Sequence, residues 1–177
     1  MRVRSLIMVL ALYVPHAGGS DPEKVFRSES AHFSLRYPSS WSILTGDPNM
    51  LDIVNFQPGQ RVRGVILPPR GASISVHKKP EDIPTQEKWI ETISAHSEYS
   101  RREIDGSAAP DGCKRLVEVR WHWDAGGAPE VYFQETAYYC FSKAGFYRIQ
   151  LTYRSDNPSG PELTGLALKV ARSFRAW

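Results

Sequence analysis

Three residues near the middle of the chain have side chains that could bind a divalent cation: Glu118, His122 and Asp124. In a strand their even spacing would place all three on one face. Carboxylate oxygens are ligands that calcium prefers, but Arg120 lies among them on the same face and would repel a cation. We therefore favour a solvated, salt-bridged strand face, with a metal site as the alternative.

Two short motifs of the chain also occur in serine β-lactamases: Ser75–Lys78 matches Ser-x-x-Lys, and Ser155–Asn157 matches Ser-Asp-Asn. That chemistry needs the serine and the lysine one helical turn apart. The alternation around Ser75 instead predicts a strand, which would point Ser75 and Lys78 to opposite faces. The sequence also lacks a phosphate-binding loop, a dinucleotide fingerprint and a zinc-binding helix motif. We predict a protein that is not an enzyme and has no cofactor.

The chain has two cysteines, Cys113 and Cys140. In an oxidising compartment an even number of cysteines favours a disulfide. Residues 125–128 (Ala-Gly-Gly-Ala) are typical of a two-residue hairpin turn, and such a turn would place the two cysteines opposite each other. We therefore predict a structural disulfide between them.

The register of this predicted hairpin has two alternatives. The register that opposes the cysteines also opposes Glu118 to Glu135, which is unfavourable. A shift by one residue opposes Trp121 to Phe133 and improves the apolar match. A bulge would satisfy both demands.

The first 19 residues have the features of a secretory signal peptide. Arg2 and Arg4 form a positive start, and residues 5–14 form an apolar run. A membrane-spanning helix needs about 20 apolar residues, so this run is too short. Ala17 and Gly19 are the small residues expected at the −3 and −1 positions of a cleavage site. We predict cleavage after Gly19 and a secreted or periplasmic protein.

The composition is that of a soluble globular protein, with 41% hydrophobic and 23% charged residues. The formal charge of +3 includes Arg2 and Arg4, and without them 20 basic residues face 19 acidic ones. This balance excludes a basic surface of the size that nucleic acid requires. Residues 20–177 are predicted to form a single domain with no transmembrane segment.

Alternating apolar and polar residues predict an antiparallel sheet. The clearest strands cover residues 114–123, 130–141 and 146–154, which tight turns would join into a meander. Shorter strands are predicted over 32–37, 41–43, 51–57, 72–78 and 101–104, with a possible extra strand over 62–67.

Two helices are predicted beside this sheet. Thr85 is a suitable N-cap for the first, which would run to about Glu98. Pro161 suits the first position of the second, whose apolar side would pack on the sheet. The predicted class is α+β, an antiparallel β-sheet flanked by helices.

Aromatic residues crowd the strands of the meander. We expect most of them in the core, with one or two exposed at a rim; they are Trp121, Trp123, Tyr132, Phe133, Tyr138, Tyr139 and Tyr147. The basic pairs of the chain are scattered, which favours a role in solubility over a binding patch.

Four motifs, in order along nearly the whole chain after the leader, resemble the PsbP family. Phe33–Trp41 resembles its F-S-I-x-x-P-x-x-W opening, and Gly71–Val76 resembles its next core strand. Ala144–Ile149 resembles its N-G-W-Y-x-x strand, and Ala171–Arg175 resembles its V-x-S-F-R ending. The resemblance implies an αβα sandwich, which Mog-type Ran-binding proteins share.

The resemblance also implies a function in binding or assembly, since members of the family are mainly non-enzymatic. The chain departs from the photosynthetic subunit because it has no long N-terminal extension and carries a cysteine pair. We therefore expect an exported module that binds or helps to assemble another envelope protein. A small-ligand or calcium-type metal-binding protein is the alternative.

Overall fold

The computed structural model describes residues 21–47, 50–57, 67–94, 99–109, 111–124 and 131–177. The predicted leader, residues 1–19, lies outside this part of the chain. So do residues 62–66 of the possible extra strand and residues 95–98, where the first helix was predicted to end.

The described residues form ten strands and two helices, numbered in chain order. They are β1 (Glu23–Ser28), β2 (Phe33–Pro38), β3 (Ser42–Asp47), β4 (Met50–Val54), β5 (Ala72–Lys78), α1 (Gln86–Ser94), β6 (Tyr99–Asp105), β7 (Arg115–Asp124), β8 (Tyr132–Ser142), β9 (Gly145–Arg154), α2 (Gly160–Ser173) and β10 (Arg175–Ala176).

The strands form two antiparallel sheets. The small sheet has the order β1-β2-β10, and the large sheet has the order β3-β4-β5-β9-β8-β7-β6. Helix α2 and the small sheet pack on one face of the large sheet, and α1 packs on the other. This layered arrangement confirms the predicted α+β class.

The main core lies between α2, the small sheet and the large sheet. Alternation along β9 buries Tyr147, Ile149 and Leu151 on this side. Leu163 and Val170 of α2 are buried against them, as the helical periodicity predicts. Burying each large apolar side chain contributes about 1.5–3 kcal/mol, so this layer holds the two sheets together.

A second, smaller core lies beneath α1. Trp89 packs edge-on against Tyr139, with ring centroids 5.4 Å apart, and Val117 and Val119 are buried beside them. The backbone N–H of Lys88 donates to the Thr85 hydroxyl at 3.1 Å. The predicted N-cap is therefore confirmed.

Strands β1 and β10 were not predicted from the sequence. Residues 23–28 are mostly exposed and polar, so they lack the alternation that marks a half-buried strand. Both strands pair with β2 and form the edges of the small sheet, and β10 is also bridged to Gly112 through Arg175. Pairing to a buried neighbour, rather than their own pattern, makes them strands.

Both predicted registers of the β7–β8 hairpin are wrong. The structure pairs Trp121 with Glu135 and Trp123 with Phe133. The connection therefore spans residues 125–131, of which 125–130 lie outside the described residues. This register separates Glu118 from Glu135 and pairs Val119 with Ala137 in the core beneath α1.

The disulfide between Cys113 and Cys140 is confirmed, although the two residues are not a cross-strand pair. Cys140 pairs with Leu116 in the sheet, and Cys113 lies just before β7. Their Cα atoms are 5.1 Å apart, and both side chains are fully buried in the main core. The bond thus anchors the segment before β7 to the large sheet.

Candidate functional site

Glu118 lies on the α2 side of the large sheet and is ion-paired with two arginines. Its side chain is 3% exposed. Arg102 Nε lies 2.6 Å from its Oε1, and Arg120 Nε lies 3.0 Å from the same oxygen. Arg102 Nη2 and Arg120 Nη2 each donate to Oε2 at 3.2 Å. The predicted salt bridges are present at this residue, but its carboxylate is buried and not solvated as predicted.

The ionisation of Glu118 reflects two opposed effects. Burial raises the pKa of its carboxyl, but the hydrogen bonds and charges of Arg102 and Arg120 together outweigh burial and leave the pKa lowered. On the neighbouring strand, burial raises the pKa of Tyr138, and the negative charge of Glu118 raises it further. Glu118 is therefore a carboxylate whose lone pairs are directed to arginines.

The other two predicted cation ligands lie farther along the same strand. His122 is exposed, and its ring packs against that of Tyr132 at a centroid distance of 5.2 Å. Asp124 is the last residue of β7 and pairs with Tyr132 in the sheet. Among the described residues, no three histidine, cysteine or acidic side chains form a cluster that could hold a metal ion.

Ser75 and Lys78 both belong to β5, in a strand and not in a helix. The Ser75 hydroxyl donates to Asp52, its partner on β4. The odd spacing of Ser75 and Lys78 places them on opposite faces of the large sheet. The geometry of a serine β-lactamase is therefore not formed by these residues.

Buried polar side chains continue across the large sheet on the α1 side. Thr152 donates to Glu135 Oε1 at 3.0 Å, and Gln150 lies 3.5 Å from the Thr152 hydroxyl. Burial raises the pKa of Glu135, opposed by hydrogen bonds from Trp123 and Thr152 and by the charge of Arg148. This row positions Glu135 but brings no serine or cysteine nucleophile to it.

Of the seven aromatic residues predicted to crowd the meander, five are buried, as predicted for most of them, and two are exposed. Trp123 and Tyr132 are 39% and 38% exposed. Tyr99, which is 46% exposed, begins β6 opposite Trp121 and so lies at the same end of the sheet. Tyr99 and Trp123 are on the α1 face, whereas Tyr132 is on the α2 face, so the three residues flank this end of the sheet from both sides. We call these three residues (Tyr99, Trp123 and Tyr132) the aromatic corner.

The aromatic corner lies beside an edge of the large sheet, because β6 is the outermost strand of its described order. Two arginines of β6 are exposed or half-exposed and form ion pairs with neighbouring elements. Arg101 pairs with Glu87 of α1, and Arg102 pairs with Glu118 of β7. Among the described residues, no strand pairs with the outer edge of β6, and exposed aromatic rings lie at its end.

Four cations that were not predicted as a group converge where α2 meets the small sheet: Arg36, Lys169, Arg172 and Arg175. The short spacing of three of them, in Lys169–Arg175, was a visible signal. Arg36 joins them only through the fold, since it lies on β2.

In the part of the chain that the structure describes, no helix is both long enough and apolar enough to cross a bilayer. No protein-family model matches the chain. A search of curated proteins also gives no significant match.

Solved structures do match. A protein of Bacteroides thetaiotaomicron VPI-5482 superposes with a TM-score of 0.54 and 15% identity, over 87% of this chain and 48% of that one. The chain thus spans about half the length of that protein. The Ran-binding protein Mog1p of Saccharomyces cerevisiae matches with a TM-score of 0.51 and 11% identity, over 89% of this chain and 96% of its own. Cyanobacterial PsbP (CyanoP) of Synechocystis sp. PCC 6803 matches with a TM-score of 0.48 and 13% identity, over 94% and 99%.

These comparisons establish the class of fold. The chain has a Mog-type α+β sandwich, and the match with Mog1p extends over nearly all of both chains. The fold that the PsbP resemblance implied is confirmed. At such low identity the likeness concerns the fold and leaves function to the site.

Proposed function

We propose that the chain is an exported, non-enzymatic module that binds another envelope protein through the aromatic corner. The observation that carries the proposal is that Tyr99, Trp123 and Tyr132 are all exposed at one end of the large sheet, where β6 is the outermost described strand. Tyrosine and tryptophan are enriched among the residues that contribute most to protein interfaces. An open strand edge can also accept an extended segment of a partner.

The fold supports a binding role. Mog1p, which shares the fold, is described as a Ran-binding protein. A domain of this architecture can therefore present a surface for protein recognition, although the partner here must be identified independently.

The buried disulfide supports export. Disulfides persist in oxidising compartments and are rare in the cytosol. The Cys113–Cys140 bond therefore agrees with the features of the first 19 residues. Mass spectrometry of the mature protein is expected to find Ser20 at its N-terminus, and a retained leader would contradict export by this route.

The alternative, a small-ligand or calcium-binding protein, has less support. The oxygens of Glu118 already accept from Arg102 and Arg120, and displacing two arginines costs a cation much of its binding energy. We therefore propose protein contact as the main role.

Photo-crosslinking from single positions tests the proposal. A photoreactive phenylalanine replaces Tyr99, Tyr132 or, as a control, Phe146, which is also exposed but lies at the other end of β8. We expect the same envelope protein to crosslink from positions 99 and 132 and not from 146. Crosslinking from all three positions alike, or from none, would overturn the proposal.

A further inference from the structure

A second surface lies on the small sheet, away from the aromatic corner. Arg36, Lys169, Arg172 and Arg175 line a depression of about 510 Å³ between α2 and the outer face of this sheet. We call it the basic cleft. Arg172 also lines an adjoining depression of about 440 Å³, so the two depressions meet at this residue.

Side chains alternate between the two faces of the small sheet, and this alternation places its cations on the outer face, at the cleft. Leu35 and Tyr37 of β2 point into the main core, so Arg36 between them points outward. Val25 pairs with Arg36, and Ser34 pairs with Arg175, so these residues share the outer face.

Helix α2 supplies the other cations from its C-terminal half. Lys169 and Arg172 are three residues apart and therefore lie on the same side of the helix. Arg172 in the last turn also suits the negative end of the helix dipole. The dipole does not account for Arg36 and Arg175, which belong to the small sheet.

Positive charge predominates in the basic cleft. Glu23 is the one carboxylate among its lining residues; its Oε1 lies 2.7 Å from Lys169 Nζ, and its Oε2 lies 3.8 Å from Arg36 Nη1. Asp111 lies 3.5 Å from Arg175 Nε but does not line the cleft. Arg172 makes no ion pair with a carboxylate of the described residues. The four cations thus exceed the one lining carboxylate, although the exported chain is nearly neutral overall.

Backbone contacts hold the cleft in place. The backbone N–H of Arg36 donates to the Ser173 hydroxyl at 2.9 Å, which ties β2 to α2. Arg175 Nη1 donates to the backbone carbonyl of Arg172 at 2.9 Å. The cations are therefore presented on ordered elements, which lowers the entropic cost of binding.

The shape of the surface indicates an extended ligand. Each depression has the volume of a typical ligand site, about 300–1,000 Å³. Cations line both, although Glu103 and Asp105 also line the adjoining one. A single small anion would contact few of these cations. Guanidinium groups bind carboxylates in a bidentate manner. Val25, which is 66% exposed, adds an apolar contact in the cleft. A concave surface between a helix and strands fits a chain better than a flat bilayer.

We propose that the basic cleft binds an extended acidic peptide segment of a protein partner. Its carboxylates contact Arg172 and the flanking cations, and an apolar side chain between them packs on Val25. The proposal rests on the proposed function in that the partner is a protein, but it uses a surface separate from the aromatic corner.

Fluorescence anisotropy tests this binding with the exported, disulfide-bonded protein. The probe is a fluorescein-labelled peptide that repeats Glu-Glu-Val, and the control peptide repeats Lys-Lys-Val. We expect the acidic peptide alone to bind. Raising the salt from about 0.05 M to about 0.5 M should weaken this binding markedly, because it shortens the screening length.

Two matched variants locate the site. Lys169→Gln/Arg172→Gln removes two charges from the cleft, and Lys88→Gln/Lys143→Gln removes two exposed charges elsewhere. We expect the first variant to bind the acidic peptide about tenfold more weakly or worse, and the second to bind within about twofold of the unmodified protein. Melting temperatures of both variants confirm that they fold.

Three results would overturn the proposal. They are no binding of the acidic peptide, equal weakening in the two variants, and tighter binding to vesicles of anionic lipid than to the peptide. The last result would assign the cleft to a membrane surface. The crosslinks from positions 99 and 132 do not involve the cleft, so either proposal can fail while the other stands.

Discussion

Two buried carboxylates of the large sheet have opposite surroundings. Glu118 accepts hydrogen bonds from two arginines, so its charged form is stabilised in spite of burial. Glu135 has a threonine donor and a more distant arginine, so burial dominates and its pKa is raised. Their effects on the pH dependence of stability therefore have opposite signs.

Replacing Glu118 should destabilise the fold. Glu118→Gln leaves Arg102 and Arg120 without their counter-charge, and hydrogen bonds to charged groups contribute about 1.5–3 kcal/mol. We expect a loss of this order in the free energy of unfolding, measured by urea denaturation at neutral pH. The difference from the unmodified protein should shrink as the pH falls through the lowered pKa of Glu118, since both proteins are then uncharged at this position.

The matched control is Glu29→Gln, which removes an exposed carboxylate paired with Arg27. Exposed pairs contribute about 0–1 kcal/mol. Equal losses in the two variants would contradict the structural role that we assign to Glu118.

Replacing Glu135 should have the reverse pH dependence. Because its pKa is raised in the folded protein, Glu135 lowers stability as the pH rises from the ordinary glutamate value through the raised value. Glu135→Gln is expected to be more stable than the unmodified protein above this range, and the advantage should vanish below it. Thermal melting between acid and neutral pH measures the effect, and a variant that is less stable at neutral pH would contradict it.

Sequence patterns identified Glu118 and Arg120 as members of a salt-bridged face, but they did not identify Arg102. Arg102 lies on β6, and only the pairing of β6 with β7 brings it opposite Glu118. For the same reason the convergence of Arg36 with the cations of α2 was missed. Periodicity within one element is visible in a sequence, whereas contact between distant elements depends on register.

At the scale of the elements, local sequence signals predict individual helices and strands, whereas packing decides how the strands pair. The N-cap of α1, the start of α2 and the strands β5 and β9 follow from local patterns, and the structure has all of them. The predicted registers of the β7–β8 hairpin are wrong because they assumed a two-residue turn at the Gly-Gly pair. Packing beneath α1 instead selects the pairing of Val119 with Ala137.

The disulfide should contribute substantially to the stability of these elements. It closes a loop with a sequence separation of 27 residues, for which the chain-entropy model gives about 3–4 kcal/mol. We expect Cys113→Ala/Cys140→Ala to lower the free energy of unfolding by roughly this amount. Urea denaturation of the two proteins measures the loss.

Thiol titration provides the companion measurement. The unmodified protein, produced in an oxidising compartment and denatured without reductant, should show no free thiols. Two titratable thiols, or an unchanged unfolding midpoint in the variant, would contradict a structural disulfide.

For the molecule as a whole, the order of four weak motifs along the chain predicted the fold better than any single motif could. Phe33–Trp41, Gly71–Val76, Ala144–Ile149 and Ala171–Arg175 correspond to strands and a helix end that line the main core. Core positions constrain residue type strongly, which explains why the fold could be predicted. The division into two sheets could not, since β1 and β10 have few buried residues.

Binding surfaces are less visible in the sequence, because exposure is a property of the assembled fold. Tyr132 and Tyr138 lie on the same strand and the same face, yet only Tyr132 is exposed. Tyr138 lies under α2, with its hydroxyl 3.4 Å from the backbone carbonyl of Thr164. The exposure of Tyr132 therefore depends on which part of β8 is covered by α2, and the pattern of the strand alone does not show this.

Co-purification from the envelope fraction tests the central claim of protein contact most directly. The exported protein, the variant Tyr99→Ser/Tyr132→Ser and the control Phe146→Ser are each recovered under identical conditions, and their bound proteins are quantified. Our account predicts one specific partner that the control retains and the double variant loses by about tenfold or more, as expected for interface aromatics. Undiminished recovery with the double variant, or repeated failure of the unmodified protein to retain any specific partner, would contradict it.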